Sequence, residues 1–314
     1  MKFSNMDIPA SPLTAPKITA PAGTRQTSKG YGCRDPYIVP YDGKYYFYQG
    51  AGDRGILCSV SEDLENWSDP VVVFAVPENF HGEKCLFWAP ECHYYKGNFY
   101  IFTSVWSKTY QHRVISVYRA NNPLGPFEDI VEGGCITPKD WDAIDGTLYI
   151  DKDGKPYMVF VHEWTSMPEG NGGMAVAQLS EDFTHFVTEP VQLFQAKEPE
   201  WATSGVTDGP YLYTTEKGSL MMIWSNFCKD GYVVAKARST TGEITGPWVH
   251  ETELLYRKNL RPEWIYDGGH AMIFKTHEGE MKLAFHGPNH KGEDGVGEHL
   301  FIMPLYEKDD TLTL

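Results

Sequence analysis

Much is missing from this chain of 314 residues, and each absence excludes something. It contains no apolar run near the roughly 20 residues of a membrane span. The opening MKFSNMDIPASPLTAPKITAP has no apolar h-region, which predicts a cytoplasmic protein without a visible signal peptide. Basic residues are few, 27 against 42 acidic, for a net charge of −15. Nucleic acid and anionic membrane are therefore poor partners. The six cysteines, Cys33, Cys58, Cys85, Cys92, Cys135 and Cys228, form no CxxC pair and no zinc spacing with histidine. They read as unpaired thiols in a reducing compartment. No window holds a capped helical periodicity, so little helix is expected. No linker or low-complexity stretch follows residue 30. Residues 1–30, rich in Pro, Ala, Ser and Thr, read as an irregular N-terminal arm, and residues 31–314 as one domain.

What is abundant is aromatic residues, 14%, and one repeated pattern. Asp42-Gly43, Lys96-Gly97, Asp153-Gly154, Lys217-Gly218 and Glu278-Gly279 each join two short apolar, aromatic-rich runs. Glycine supplies the positive φ of a tight turn, so each unit reads as a β-hairpin. Five like units in one chain point to an all-β fold, a five-bladed β-propeller. SEDLENW (61–67), NNPLGPF (121–127), SEDFTHF (180–186) and TTGEITGPW (240–248) form a second repeat in the same phase, late in blades one to four. Gly50-Ala51-Gly52-Asp53-Arg54-Gly55 matches GxGxxG. The strand-like ILCSVS follows where a dinucleotide site needs a helix, so it reads as a glycine-rich hairpin.

Counting back from the turn glycines aligns Asp35, Ala89, Asp145, Asp208 and His270, between 54 and 63 residues apart. A propeller gathers its inner-strand starts around one channel, so three carboxylates and a histidine should converge there. Asp-Gly is also a turn dipeptide, and any one of these aspartates alone could be structural. Their equivalent placement in three blades favours a site, because like charges repel and are not collected without use. Such a group suits glycoside hydrolysis, which needs one protonated and one ionised carboxyl.

The motifs CRDPYIV (33–39), FWAPE (87–91), AIDGTLYIDKDGKPYMVF (143–160), TDGPYLY (207–213) and GGHAMIF (268–274) together resemble glycoside hydrolase family 43, from about Gly32 to the C-terminus. The resemblance implies an inverting hydrolase of oligosaccharides, foremost an exo-acting α-L-arabinofuranosidase, with β-xylosidase or galactofuranosidase as alternatives. It assigns Asp35 as general base and Asp145 as the carboxylate that orients the acid and tunes its pKa. Asp208 stands where the family usually has a glutamate before Gly-Pro. It is taken as the general acid, with Glu91 and Glu163 as alternatives. His270 matches a histidine that holds one structural calcium or other cation in the channel, largely through water; the rival reading is a hydrogen-bonded core histidine. No cofactor is required for the chemistry. Trp88, Glu91, His162, Glu163 and His286 are candidates for sugar binding, whereas Arg34 reads as a structural charge partner of the base. A non-catalytic sugar-binding propeller is the rival of another class, suggested by the aspartate at 208. A fructan hydrolase is disfavoured by Arg-Asp-Pro in place of Asn-Asp-Pro, and a phosphorylase by the lack of a basic cluster.

Overall fold

The structure is a computed structural model that describes residues 24–26, 32–83, 86–290 and 297–314. Most of the expected N-terminal arm, and Cys85, lie outside the described residues. Where the chain repeats its aromatic and β-branched runs it forms antiparallel sheets, each strand pairing with the next. Blade one comprises Tyr37–Tyr41, Lys44–Gly50, Ile56–Ser61 and Val71–Phe74. Blade two comprises Trp88–Tyr95, Asn98–Trp106, Arg113–Ala120 and Glu128–Asp129. Blade three runs through Ala143–Ile150, Pro156–His162, Gly173–Gln178 and Val191–Gln195. Blade four runs through Asp208–Thr214, Leu220–Cys228, Gly231–Ser239 and Trp248–His250. Blade five has three strands, Gly269–Lys275, Met281–Gly287 and His299–Pro304.

The first strand of each blade packs against that of the next, and the fifth against the first, so the ring closes as a five-bladed β-propeller. The seam between blades five and one is sealed by backbone pairing of Gly32 with His299 and by the Cys33 N–H on the Glu298 carbonyl at 3.2 Å. Aromatic and aliphatic side chains between sheets make the core; Trp67, Phe127 and Trp248, from the second sequence repeat, are buried in it. The GxGxxG stretch is a single 3-10 turn, Gly52–Arg54, leading into a strand, as its sequence context indicated. Among the described cysteines all five are free, and four are buried.

The hairpins fall into two kinds. In blades one and two the turn has two residues, Asp42-Gly43 and Lys96-Gly97, all four with positive φ as a type I′ turn requires. In blades three, four and five three residues separate Asp151 from Lys155, Thr215 from Ser219 and Thr276 from Glu280, with glycine last and left-handed. The longer turn adds one residue to the count back from the glycine. The equivalent positions are therefore eight residues before Gly43 and Gly97, and nine before Gly154, Gly218 and Gly279. They are Asp35, Ala89, Asp145, Gly209 and His270. All five have a left-handed backbone, with φ of 50°, 44°, 55°, 49° and 50°. The alignment of Asp208 with Asp35 and Asp145 is thus corrected by one residue: Asp208 precedes the left-handed position, as Trp88 does in blade two. Its pairing with Ser225 matches that of Trp88 with Ser104, Ile144 with Val161 and Gly269 with His286.

A bulge follows each of these pairs, and it turns the N–H of the left-handed residue away from its own sheet. The residue paired just before the bulge, on the second strand, supplies the acceptor for the next blade. The Asp145 N–H donates to Oγ of Ser104 at 3.1 Å, the His270 N–H to Oγ of Ser225 at 2.8 Å, and the Asp35 N–H to Nδ1 of His286 at 3.2 Å. Blade three has Val161 at this place and no side-chain acceptor, and there Oδ2 of Asp145 takes the Gly209 N–H at 3.0 Å. Left-handed backbone at a residue other than glycine costs about 1–3 kcal/mol, and these inter-blade bonds hold it. Ser225→Ala and Ser104→Ala, each orphaning one buried N–H, should each destabilise the fold by about 1–3 kcal/mol. Chemical denaturation checks this; an unchanged stability in both would show that the N–H groups have other partners.

Candidate active site

The left-handed turns aim Asp35, Asp145 and His270 into the channel, and Asp208 joins them from the preceding register position. Nδ1 of His270 lies 3.1 Å from Oδ1 of Asp35 and 3.7 Å from Oδ2 of Asp145. That Asp145 oxygen also accepts the Gly209 N–H, which ties it to the backbone beside Asp208. Oδ2 of Asp208 accepts a hydrogen bond from the Tyr232 hydroxyl at 2.8 Å. A side chain at 209 would place its Cβ 2.7 Å from the His270 ring, so only glycine lets blade four approach this closely.

Burial and charge divide the protonation states. Burial raises the pKa of Asp35, but His270, His286 and Arg34 outweigh it and hold the carboxyl well below the usual range. Burial lowers that of His270, yet Asp35 and Asp145 raise it to about 10, so it is an imidazolium at neutral pH. Asp145 is pushed up by burial and by Asp35, against the pull of His270. Asp208 is pushed up to about 7, by burial first and then by the Asp145 charge. One site thus holds an ionised carboxylate and a carboxyl that keeps its proton near neutrality, the pairing that acid–base chemistry requires.

The remaining sequence candidates separate into near and structural groups. Trp88 is 40% exposed, one residue before the left-handed Ala89, and its ring carries the Arg113 guanidinium at 4.7 Å. Glu163, buried, is ion-paired to Arg113, which also lies 3.2 Å from Asp142. Glu91, also buried, lies 3.2 Å from Nε2 of His93. Each alternative acid thus faces a basic side chain, and burial still raises Glu163 to about 7 against the pull of Arg113. His162 is stacked on Trp141 at 3.9 Å and bonded to Oγ of Ser166. His286 is fully buried and braces the Asp35 backbone; burial lowers its pKa to about 4, and its Nε2 meets Oδ1 of Asn289 at 3.3 Å. Arg34 bonds Glu298 at 2.5 Å and Asn289 at 3.1 Å and lies 3.7 Å from Asp35, the expected charge partner. Sequence reading passed over Ser104, Ser225 and Tyr232. The two serines carried a signal, since both stand at one register position of the second strand; Tyr232 carried none.

Residues 31–312 match the sequence profile described as Glycosyl hydrolases family 43. The chain belongs to that family. A solved endo-arabinase from Bacteroides thetaiotaomicron VPI-5482 is 36% identical, with a TM-score of 0.79 over 88% of this chain and 95% of that one. The extracellular exo-α-(1→5)-L-arabinofuranosidase ArbA of Cellvibrio japonicus (strain Ueda107) is 25% identical, over 89% of this chain and 85% of its own length. The extracellular endo-α-(1→5)-L-arabinanase 1 of Bacillus subtilis (strain 168) is 23% identical, over 88% and 80%. This family 43 chain is accordingly a glycoside hydrolase. Among its described residues no three His, Cys, Asp or Glu side chains converge as metal ligands. Nδ1 of His270 already faces Asp35 and Asp145, so a cation held beside it would draw most of its ligands from water.

The family 43 site predicts how its own charge network titrates. His270 has a raised folded pKa, so its stabilisation is complete below the unfolded value of about 6.5 and is lost as pH rises through about 10. Asp35, with a depressed pKa, stabilises above its unfolded value of about 3.9 and loses this as pH falls. His270→Gln should therefore cost about 3–5 kcal/mol near pH 6, and the difference from the parent should shrink toward pH 10. Urea denaturation across pH reads this directly; a difference independent of pH would contradict the imidazolium.

Proposed function

We propose that the protein is an inverting, exo-acting α-L-arabinofuranosidase that removes terminal arabinofuranosyl units from short oligosaccharides. The observation that carries this reading is the opposed protonation of Asp35 and Asp208 in one channel. Asp35, ionised, takes a proton from the water that attacks the anomeric carbon. Asp208, protonated, gives its proton to the glycosidic oxygen as that bond breaks. Asp145 holds the blade-four backbone through the Gly209 N–H, and its negative charge keeps the Asp208 proton in place. One displacement by water from the face opposite the leaving group inverts the anomeric centre.

Arg34 is tied to Glu298 and Asn289, and the His290 N–H bonds the same Glu298 carboxylate at 3.1 Å, which joins these blade-five residues to the start of blade one. Trp88 offers a ring face on the blade-two side. The arabinofuranosyl preference rests on the curated relatives and on the 36% identical endo-arabinase. That last relative also favours a second reading, internal cleavage of α-(1→5)-arabinan by the same residues.

An NMR time course on linear arabino-oligosaccharides and arabinan should show free arabinose from the first points, released as the β-anomer. Early release of shorter oligomers would favour internal cleavage, and an α-anomer would contradict the single displacement. Asp35→Asn should lower kcat by about 10²–10⁴-fold with the fold intact. The pH–rate profile should keep its acid limb at or below the ordinary carboxylate range, set by Asp35, and place its alkaline limb near 7, where Asp208 loses its proton.

A further inference from the structure

We propose that Tyr232 is a positioning residue for the acid: by occupying one oxygen of Asp208, its hydroxyl leaves the transferable proton on the other. The inference rests on the reading of Asp208 as proton donor and adds to it. A neutral carboxyl has one carbonyl oxygen and one hydroxyl oxygen, and a phenol donates to the former. With the Tyr232 hydroxyl 2.8 Å from Oδ2, that oxygen is the acceptor, and the acidic hydrogen stands on Oδ1. An aspartate is one methylene shorter than the glutamate common before Gly-Pro, so the choice of oxygen decides whether the proton reaches the glycosidic bond.

The surroundings of Tyr232 fix its ring. Its backbone N–H donates to Oδ2 of Asp267 at 2.9 Å, and Oδ1 of the same carboxylate accepts the Asn289 N–H at 3.0 Å. His286 stacks on the ring at 5.7 Å and Phe227 leans on it at 5.0 Å. A Cβ on Gly269 would come within 2.5 Å of the ring, so that position is open to glycine alone. Tyr232 is buried, and burial with the Asp208 charge holds the phenol far above its usual pKa, so it stays a donor.

In the step itself the Oδ1–H bond of Asp208 breaks and its proton passes to the glycosidic oxygen. The anomeric C–O bond breaks with its electron pair on the leaving oxygen, water bonds to the anomeric carbon, and the water's proton goes to Asp35. As Asp208 becomes a carboxylate, the bond from Tyr232 changes from neutral to charge-assisted and strengthens. An interaction stronger in the transition state than in the ground state raises kcat without changing KM.

The test compares Tyr232→Phe, Asp208→Asn and the double variant on two substrates. One is an arabino-oligosaccharide, whose leaving alcohol needs a proton; the other is a dinitrophenyl α-L-arabinofuranoside, whose leaving group does not. Tyr232→Phe should lower kcat on the oligosaccharide about 10-fold or more, leave KM in place, and alter the aryl rate less than about twofold. The double variant should be no slower than Asp208→Asn alone, because Tyr232 acts through Asp208. The ratio between substrates, taken on one preparation, is independent of how much of a variant is folded. Equal losses on both substrates in Tyr232→Phe, or additive losses in the double variant, overturn the role of Tyr232. If Asp208→Asn itself slows both substrates equally, Asp208 is not the donor, and both readings fall.

Discussion

The hydrogen bond from a left-handed residue at the start of one blade to the second strand of the blade before it is the constraint on which the channel depends. Positive φ at Asp35, Asp145 and His270 is unfavourable taken alone. It points each side chain at the axis and strips its N–H of a partner within its own sheet. Ser104, Ser225 and His286 accept those N–H groups and thereby turn a local strain into a joint between neighbouring blades. Catalytic geometry and ring closure are in this sense one set of bonds. The exception is instructive, because blade three offers Val161 at that place and the acceptor becomes Oδ2 of Asp145.

From this geometry the electrostatics follow. Three carboxyls brought together in a buried space cannot all be ionised at low cost. His270 stands within 3.7 Å of two of them and supplies a positive charge to Asp35 and Asp145. Asp208 keeps its proton because it is buried and feels the charge of Asp145, and together these outweigh the opposing pull of His270. Glu163 is raised to about 7 in the same way, by burial first and with Asp142 adding to it against the pull of Arg113. What differs is the partner: Glu163 is ion-paired to Arg113, whose guanidinium lies over the Trp88 ring, whereas Asp208 is bonded to the Tyr232 hydroxyl.

The fold was legible in the sequence because the five Xaa-Gly turns are chemically distinct and glycine marks a left-handed turn residue whatever surrounds it. The hub residues Asp35, Asp145 and His270 followed from counting back to a common position. The count misplaced Asp208 by one because two-residue and three-residue hairpins were not told apart; Lys217-Gly218 closes a three-residue turn like those ending at Gly154 and Gly279. His286 was legible as a polar residue ending a second strand, though its bond to the Asp35 N–H was not. The Glu163–Arg113 pair spans 50 residues of chain, and the Tyr232–Asp208 bond joins a third strand to a first. No local pattern marks such contacts, which exist only once the blades are assembled.

The division of charge between Asp35 and Asp208 is the centre of the account, and carboxyl carbon-13 NMR of aspartate-labelled protein measures it without substrate. Assigned by Asp35→Asn and Asp208→Asn, the Asp208 signal should titrate near 7 while that of Asp35 stays ionised down to pH 4. An Asp208 carboxyl already ionised at pH 5, or an Asp35 that takes up a proton near neutrality, would contradict it.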